Sequence, residues 1–305
     1  MMKLSRSGFE LLVLLEKEGR VKLTQKQLAD ELDVSVGAVN KLIREFTEEG
    51  YILAALDRSM SITSAGLELL EPYRVKRAII LAAGFSERLA PVSLEVPKPL
   101  VTVKGVRLVD TLIDSLLAAD IEDISIVLGY KAAAFAPLGE KYPMLRFVNN
   151  PIYNQAQNIA SLFAAKDKID RCYICDADMY VHNPSIIRKY EYGSCFFGVP
   201  VAETDDWCFH VSSQKIRSFG IGGEKCYRAV FITYLNAGDS ERLRGDLEQM
   251  ITSRGGREHH WFDALFSDRN RYQLEARSCY AGDVSEVDTM GDLIKLDDSY
   301  LGCQL

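Results

Sequence analysis

The chain has 305 residues, 48% of them hydrophobic and 26% charged, with 36 basic against 43 acidic side chains and a formal net charge of −7. That length gives room for two domains and a sizeable core, and the acidic balance excludes a general attraction to nucleic acid or anionic membrane. No apolar run approaches a membrane span, and Glu10, Glu16 and Glu18 interrupt or closely follow the first apolar residues, which excludes a signal peptide as the reading of this terminus.

Apolar positions at Phe9, Leu11, Leu12, Leu14 and Leu15 predict a helix from Ser5 to about Lys17. Thr24 and Gln27 have the spacing of a capping box and open a short second helix. Ser35 caps a third, whose buried side is Val36, Val39, Leu42, Ile43 and Phe46 and which ends near Gly50. Two short strands follow, Tyr51 to Leu53 and Met60 to Ile62, and then a helix from Ser64 to Leu70. This order resembles the winged helix-turn-helix of bacterial regulators over about the first 70 residues. The resemblance implies duplex DNA as a partner, with Ser35, Asn40, Lys41 and Arg44 exposed on the recognition helix and Arg58 at the wing tip. Asp30, Glu31, Asp33, Glu45, Glu48, Glu49 and Asp57 surround those cations, so the alternative is a module for packing or dimerisation. Pro72 sits in a short polar joint that divides a domain of residues 1–73 from one of residues 74–305.

The second domain opens on Ile79-Ile80-Leu81-Ala82-Ala83-Gly84, an apolar run ending in small residues, followed by Arg88 and by Lys98 between Pro97 and Pro99. The run reads as a buried parallel strand. Gly84 is free to adopt backbone angles that other residues avoid, and the loop reads as a concave anion site. No Gly-Lys-Ser/Thr follows, so this is not a Walker loop. The two coupled halves resemble the signature of the nucleotidyltransferase superfamily that activates sugar phosphates and phosphocholine, with Ser86 where that family usually has its second glycine. The resemblance implies a Rossmann-like α/β domain with an open, mostly parallel sheet. The alternation of later strands at Ile124 to Leu128 and Leu145 to Val148 with a helix at Leu108 to Leu117 agrees. It further implies that the backbone of Ala82, Ala83 and Gly84 holds a nucleotide, with Arg88 and Lys98 neutralising phosphates.

Asn149-Asn150-Pro151-Ile152-Tyr153 and then Asn158 and Ser161 are similar to a segment of the phosphocholine branch, where Asn158 and Ser161 would lie against base and ribose; helix capping is the competing reading. Asp176 and Asp178 end an apolar strand on one face, and Glu286 and Asp288 share another. By resemblance Asp178 and Asp288 hold Mg²⁺, with Asp176 secondary. Capping of a neighbouring helix is the other reading of these aspartates. Cys172 and Cys175 form a C-x-x-C with no second ligand pair at zinc spacing, and read as core. All seven cysteines fall from Cys172 onward, odd in number, which predicts reduced, mostly buried thiols and a cytoplasmic protein.

The acceptor is expected between Gly193 and Ala281, which holds both tryptophans, Trp207 and Trp261. With Asp263 they are candidates for a cage around a quaternary ammonium, and their segments resemble the acceptor-binding segments of bacterial CTP:phosphocholine cytidylyltransferases. Gly220 to Gly223 reads as a turn between strands. The function expected is a Mg²⁺-dependent transfer of CMP from CTP to phosphocholine. The rivals are a sugar-1-phosphate nucleotidyltransferase and a DNA-binding regulator whose second domain only senses ligand.

Overall fold

The structure, a computed structural model, describes residues 4–267 and 271–303. It separates into two compact units, one ending at Arg74 and the other beginning at Val75.

In the first unit α1 (Arg6–Glu18) is capped by Ser5 and buries Phe9, Leu11, Leu12 and Leu15. The helix α2 (Gln25–Glu31) carries the full capping box: Gln27 N–H donates to Thr24 Oγ1 at 3.2 Å and Thr24 N–H to Gln27 Oε1 at 2.9 Å. Ser35 caps α3 (Val36–Glu48), which buries Val39, Leu42 and Phe46 and leaves Asn40, Lys41 and Arg44 exposed. The strands β1 (Ile52–Ala54) and β2 (Met60–Ile62) pair antiparallel as a wing. Arg20 Nε donates to Ser59 Oγ at 2.7 Å and its guanidinium meets Asp57 at 3.2 Å, so the wing turn is tied to the end of α1. The unit closes with α4 (Ser64–Leu70).

The second unit begins with β3 (Arg77–Ala82), α5 (Val92–Glu95), the small ribbon β4 (Thr102–Val103) and β5 (Val106–Arg107), and α6 (Leu108–Ala118). Then come β6 (Ile124–Leu128), α7 (Ala136–Lys141), β7 (Arg146–Asn149), α8 (Ile159–Ala164), β8 (Cys172–Asp176) and β9 (Met179–Val181). Two long strands, β10 (Cys195–Ser212) and β11 (Lys215–Leu235), precede α9 (Ala237–Thr252), α10 (Asp263–Phe266), β12 (Glu275–Ser278), β13 (Val284–Glu286) and α11 (Met290–Leu296).

The main sheet has the order β10-β12-β11-β8-β3-β6-β7. Its β8-β3-β6-β7 half is parallel, while β11 runs antiparallel to β8 and β10. Side chains alternate across β3. Ile80 and Ala82 pack with Val109, Leu112 and Leu116 of α6, and Ile79 and Leu81 pack with Leu162 of α8 and Leu243 of α9. A strand buried on both faces reads as an unbroken apolar run, which is why the sequence displays one here. Cys172 and Cys175, three apart on β8, fall on opposite faces of this core. The six cysteines whose side chains are described are free and buried; the side chain of Cys303 lies outside the described residues. No helix among the described residues is long and apolar enough to cross a membrane.

One turn is misplaced by the sequence reading. Gly220 to Gly223 lies inside β11, and the chain reverses at Ser213 and Gln214, whose φ values of 51° and 64° suit a tight hairpin turn. Gly222 serves a bulge. The register slips between Thr204 and Trp207, and Gly222 opposite has φ +73°.

Candidate active site

The parallel strands β3 and β8 end side by side, and a cavity of about 150 Å³ opens at their carboxyl ends. This is where an open α/β sheet takes a ligand. Leu81 to Gly84 and Ser86 form one wall, Lys98 and Pro99 another, and Asn158, Ser161 and Asp176 to Asp178 the rest.

The loop after β3 departs from expectation in one respect. Gly84 is not left-handed, and a Cβ there would meet nothing within 4 Å, so its small size serves open space beside the backbone. The left-handed residue is Ser86, at φ 55° and ψ 45°. For a residue with a side chain this costs roughly 1–2 kcal/mol, which gives the physical reason a glycine suits that position. The loop is braced from outside. Phe85 lies 5.3 Å from the rings of both Tyr130 and Tyr153, and Tyr130 N–H donates to Ala83 O at 3.1 Å. Gly129 permits this contact, since a Cβ there would stand 2.6 Å from Tyr153 Cβ and 2.8 Å from Ala83 O.

Lys98 is fixed in a short 3₁₀ turn with Pro99 behind it, and its side chain is only 7% exposed. Its Nζ lies 3.0 Å from Asp178 Oδ2 and 2.8 Å from Asp288 Oδ1. Burial alone would push this ammonium's pKa down; the two carboxylates outweigh it and hold it above the ordinary lysine value. Arg88, mostly exposed, reaches Asp288 Oδ2 at 3.0 Å. The two aspartates, 110 positions apart in the chain (288 − 178), are brought together by β9 and β13. These pair in a separate two-stranded sheet, extended by a hydrogen bond from Val287 N–H to Asp178 O.

Ligand atoms of Asp178, Glu286 and Asp288 lie within 4.8 Å of one another. Asp178 Oδ1 is buried with no hydrogen-bond partner. An all-oxygen set with an unsatisfied carboxylate oxygen is the chemistry a hard divalent cation takes. Glu286 is the member that sequence reasoning left unassigned. Burial first, and then the charges of Asp178 and Asp288, push its carboxyl well above the usual range. The capping alternative for Asp288 fails, because Thr289 caps α11, with Asp292 completing the box.

Asp176 is held differently. Its Oδ1 accepts the indole N–H of Trp261 at 3.0 Å, and burial together with Asp178 pushes its carboxyl well above the usual range despite that bond. Asn158 makes no capping bond; its Oδ1 accepts Trp261 N–H at 3.0 Å. Ser161 Oγ accepts from Asn150 Nδ2 at 3.1 Å, and Asn150 Oδ1 accepts Ile152 N–H at 3.0 Å. The fully buried Asn150 was overlooked, although the Asn-Asn-Pro turn carried its signal.

The structure thus gathers Ala82, Ala83, Gly84, Lys98, Asn158, Ser161 and Asp178 around one cavity, with Arg88 and Asp288 reaching it through ion pairs. Trp207, Trp261 and Asp263 do not line it. Trp261 must be withdrawn from the cage. Its ring is 0% exposed and packs against Phe196, so no π face is open to a ligand. Asp263 accepts His260 N–H at 2.8 Å and faces the His259 ring at 3.3 Å. Trp207 is half-buried, 5.5 Å from the Phe219 ring and 5.1 Å from that of Phe262.

Residues 78–191 match the MobA-like NTP transferase domain, and residues 4–52 the winged helix-turn-helix DNA-binding domain. The chain is 33% identical over 228 residues to the 2-aminoethylphosphonate cytidylyltransferase of Lancefieldella rimae, covering 73% of this chain and 93% of that one. It is 26% identical over 224 residues to the choline-phosphate cytidylyltransferase of Streptococcus pneumoniae, covering 73% and 97%. A solved structure of the CTP:phosphocholine cytidylyltransferase from Streptococcus pneumoniae resembles it with a TM-score of 0.69 at 28% identity, over 74% of this chain and 99% of that one. The glycine loop after β3, the lysine between prolines and the paired carboxylates therefore sit on the fold that the signature implied, and the chain belongs to the cytidylyltransferase family of MobA-like nucleotidyltransferases, preceded by a winged helix-turn-helix domain.

Proposed function

We propose that the protein transfers CMP from CTP to 2-aminoethylphosphonate, releasing pyrophosphate. The observation that carries this reading is the burial of Trp261, which removes one of the two tryptophan faces expected to meet a quaternary ammonium. The bulge of β10 carries a carboxylate beside Trp207, Asp206, whose Oδ1 accepts the Trp207 N–H at 2.7 Å. A primary ammonium has N–H donors for such carboxylates; a trimethylated one has none. The identity to the Lancefieldella rimae enzyme points the same way.

A phosphonate oxygen attacks the α-phosphorus of CTP as the bond to the pyrophosphate oxygen breaks. The acceptor is already anionic, so positioning and charge neutralisation suffice and no general base is needed. Lys98 and Arg88 supply fixed positive charge at this point. Asp178, Glu286 and Asp288 would hold Mg²⁺, which when bound adds positive charge at the α-phosphate.

Phosphocholine is the second reading, favoured by Trp207 among Phe219 and Phe262. Pyrophosphate release should be measured for 2-aminoethylphosphonate, phosphocholine, phosphoethanolamine and glucose 1-phosphate, each with CTP, UTP, GTP and dTTP. The highest kcat/KM is expected for 2-aminoethylphosphonate with CTP. A preference for phosphocholine selects the second reading, a preference for the hexose phosphate sinks both, and no release with any pair leaves a ligand sensor.

For the first unit the reading is duplex DNA binding through α3, supported by the exposure of Asn40, Lys41 and Arg44. The full chain should retard the DNA upstream of its own coding sequence at low salt, and release it as salt rises. No retardation at low salt counts against a regulatory role.

A further inference from the structure

Trp261 touches two walls of the nucleotide cavity without facing it. Its backbone N–H donates to Asn158 Oδ1 at 3.0 Å, and its indole N–H donates to Asp176 Oδ1 at 3.0 Å. Asn158 opens α8 and Asp176 ends β8, and both line the cavity. The segment before Trp261 is tied to the same place, since Gln157 N–H donates to Arg257 O at 2.7 Å. Being wholly buried against Phe196, Trp261 has a single setting from which to hold both partners.

The chemistry of each bond fixes what its partner offers. A backbone N–H can bond only the oxygen of a side-chain amide, so Asn158 is left with its Nδ2 as a donor. Cytosine presents acceptors at O2 and N3, whereas the matching edge of guanine presents N–H donors. The indole N–H takes one oxygen of Asp176 and leaves the other for a donor. In CTP the available donors are the ribose hydroxyls and the cytosine amino group.

We propose that Trp261 is a positioning residue for the nucleotide, fixing Asn158 as a donor and Asp176 as an acceptor. This rests on the cytidylyl-transfer reading and assigns Trp261 to CTP, not to the acceptor. The protein has only two tryptophans, so its two indole N–H signals can be followed directly by NMR on the full chain labelled with ¹⁵N-tryptophan, with Trp207→Phe identifying which is which.

The Trp261 signal is expected to shift on adding CTP and to stay in place on adding 2-aminoethylphosphonate or phosphocholine alone. A shift with an acceptor alone, or no shift with bound CTP, overturns the proposal. A shift with another nucleoside triphosphate but not with CTP sinks the cytidylyl reading and leaves Trp261 on the nucleotide. In kinetics Trp261→Phe should raise KM for CTP about tenfold or more, the size of a hydrogen bond to a charged group, with little change in KM for the acceptor. The same change made on top of Asp176→Ala should then add almost nothing. A full additive loss in that background marks Trp261 as merely structural and refutes the proposal; if Trp261→Phe does not fold, the NMR result on the wild-type chain decides.

Discussion

Asp178→Asn is expected to leave a folded protein with turnover reduced by about two to three orders of magnitude, the range for removing one preorganised electrostatic group at a phosphoryl or acyl centre. The substitution keeps shape and removes charge. One of the two oxygens it alters has no hydrogen-bond partner, so little structure depends on it. The other faces Lys98 Nζ, which keeps Asp288 as a partner. Steady-state pyrophosphate release and a thermal melt of the same sample check both halves. Turnover near wild type in Mg²⁺ would remove Asp178 from the cation site, whereas a collapsed melt would make it a folding residue.

Lys98→Met should be costly on both counts. The methionine keeps most of the apolar stem and deletes the ammonium between two carboxylates. Asp178 then loses its ammonium partner and faces Asp288, which keeps only the largely exposed Arg88. A removed partner in a fully buried pair costs about 3–5 kcal/mol; these aspartates are 24% and 30% exposed, so solvent screening brings the expected cost to about 1–3 kcal/mol. For a unit of this size that is a melting-temperature drop of several degrees, about 2–4 °C per kcal/mol. The loss in kcat/KM should reach about 10²-fold or more. An active variant that melts like the wild type would show that Lys98 neither balances the carboxylates nor meets phosphate.

Much of this was legible in the sequence because it is local. An apolar run buried on both faces, a lysine between prolines and a capping box each state their structure within a few residues. The convergence of Asp178 and Asp288 was implied by the family resemblance of their two segments; the local pattern alone placed each beside a second carboxylate and did not join them. What escaped depended on partners far along the chain. Nothing around Trp261 announces that its indole N–H will meet Asp176, 85 positions earlier (261 − 176). Aromatic residues beside histidines and an aspartate look the same whether they form a cage or a core. Glu286 was hidden because alternation places it on the face of Asp288 without saying what lies opposite. The glycines at Gly220 to Gly223 announced a bend, but a bulge and a reversal use the same residues, and only cross-strand register separates them.

The placement of β13 has a consequence for the order in which the protein acquires its properties during synthesis. Every strand of the main sheet is complete by Ser278, and the amino-terminal unit is complete by Arg74. Glu286 and Asp288 come later, Glu286 at the end of a strand that among the described residues pairs with β9 and not with the main sheet, and Asp288 two positions beyond it. A nascent chain halted before Val284 therefore carries the module that resembles a DNA reader and every strand of the main sheet, yet lacks two of its three clustered carboxylates. The carboxylate cluster is thus assembled after the main sheet, from the last part of the chain to leave the ribosome.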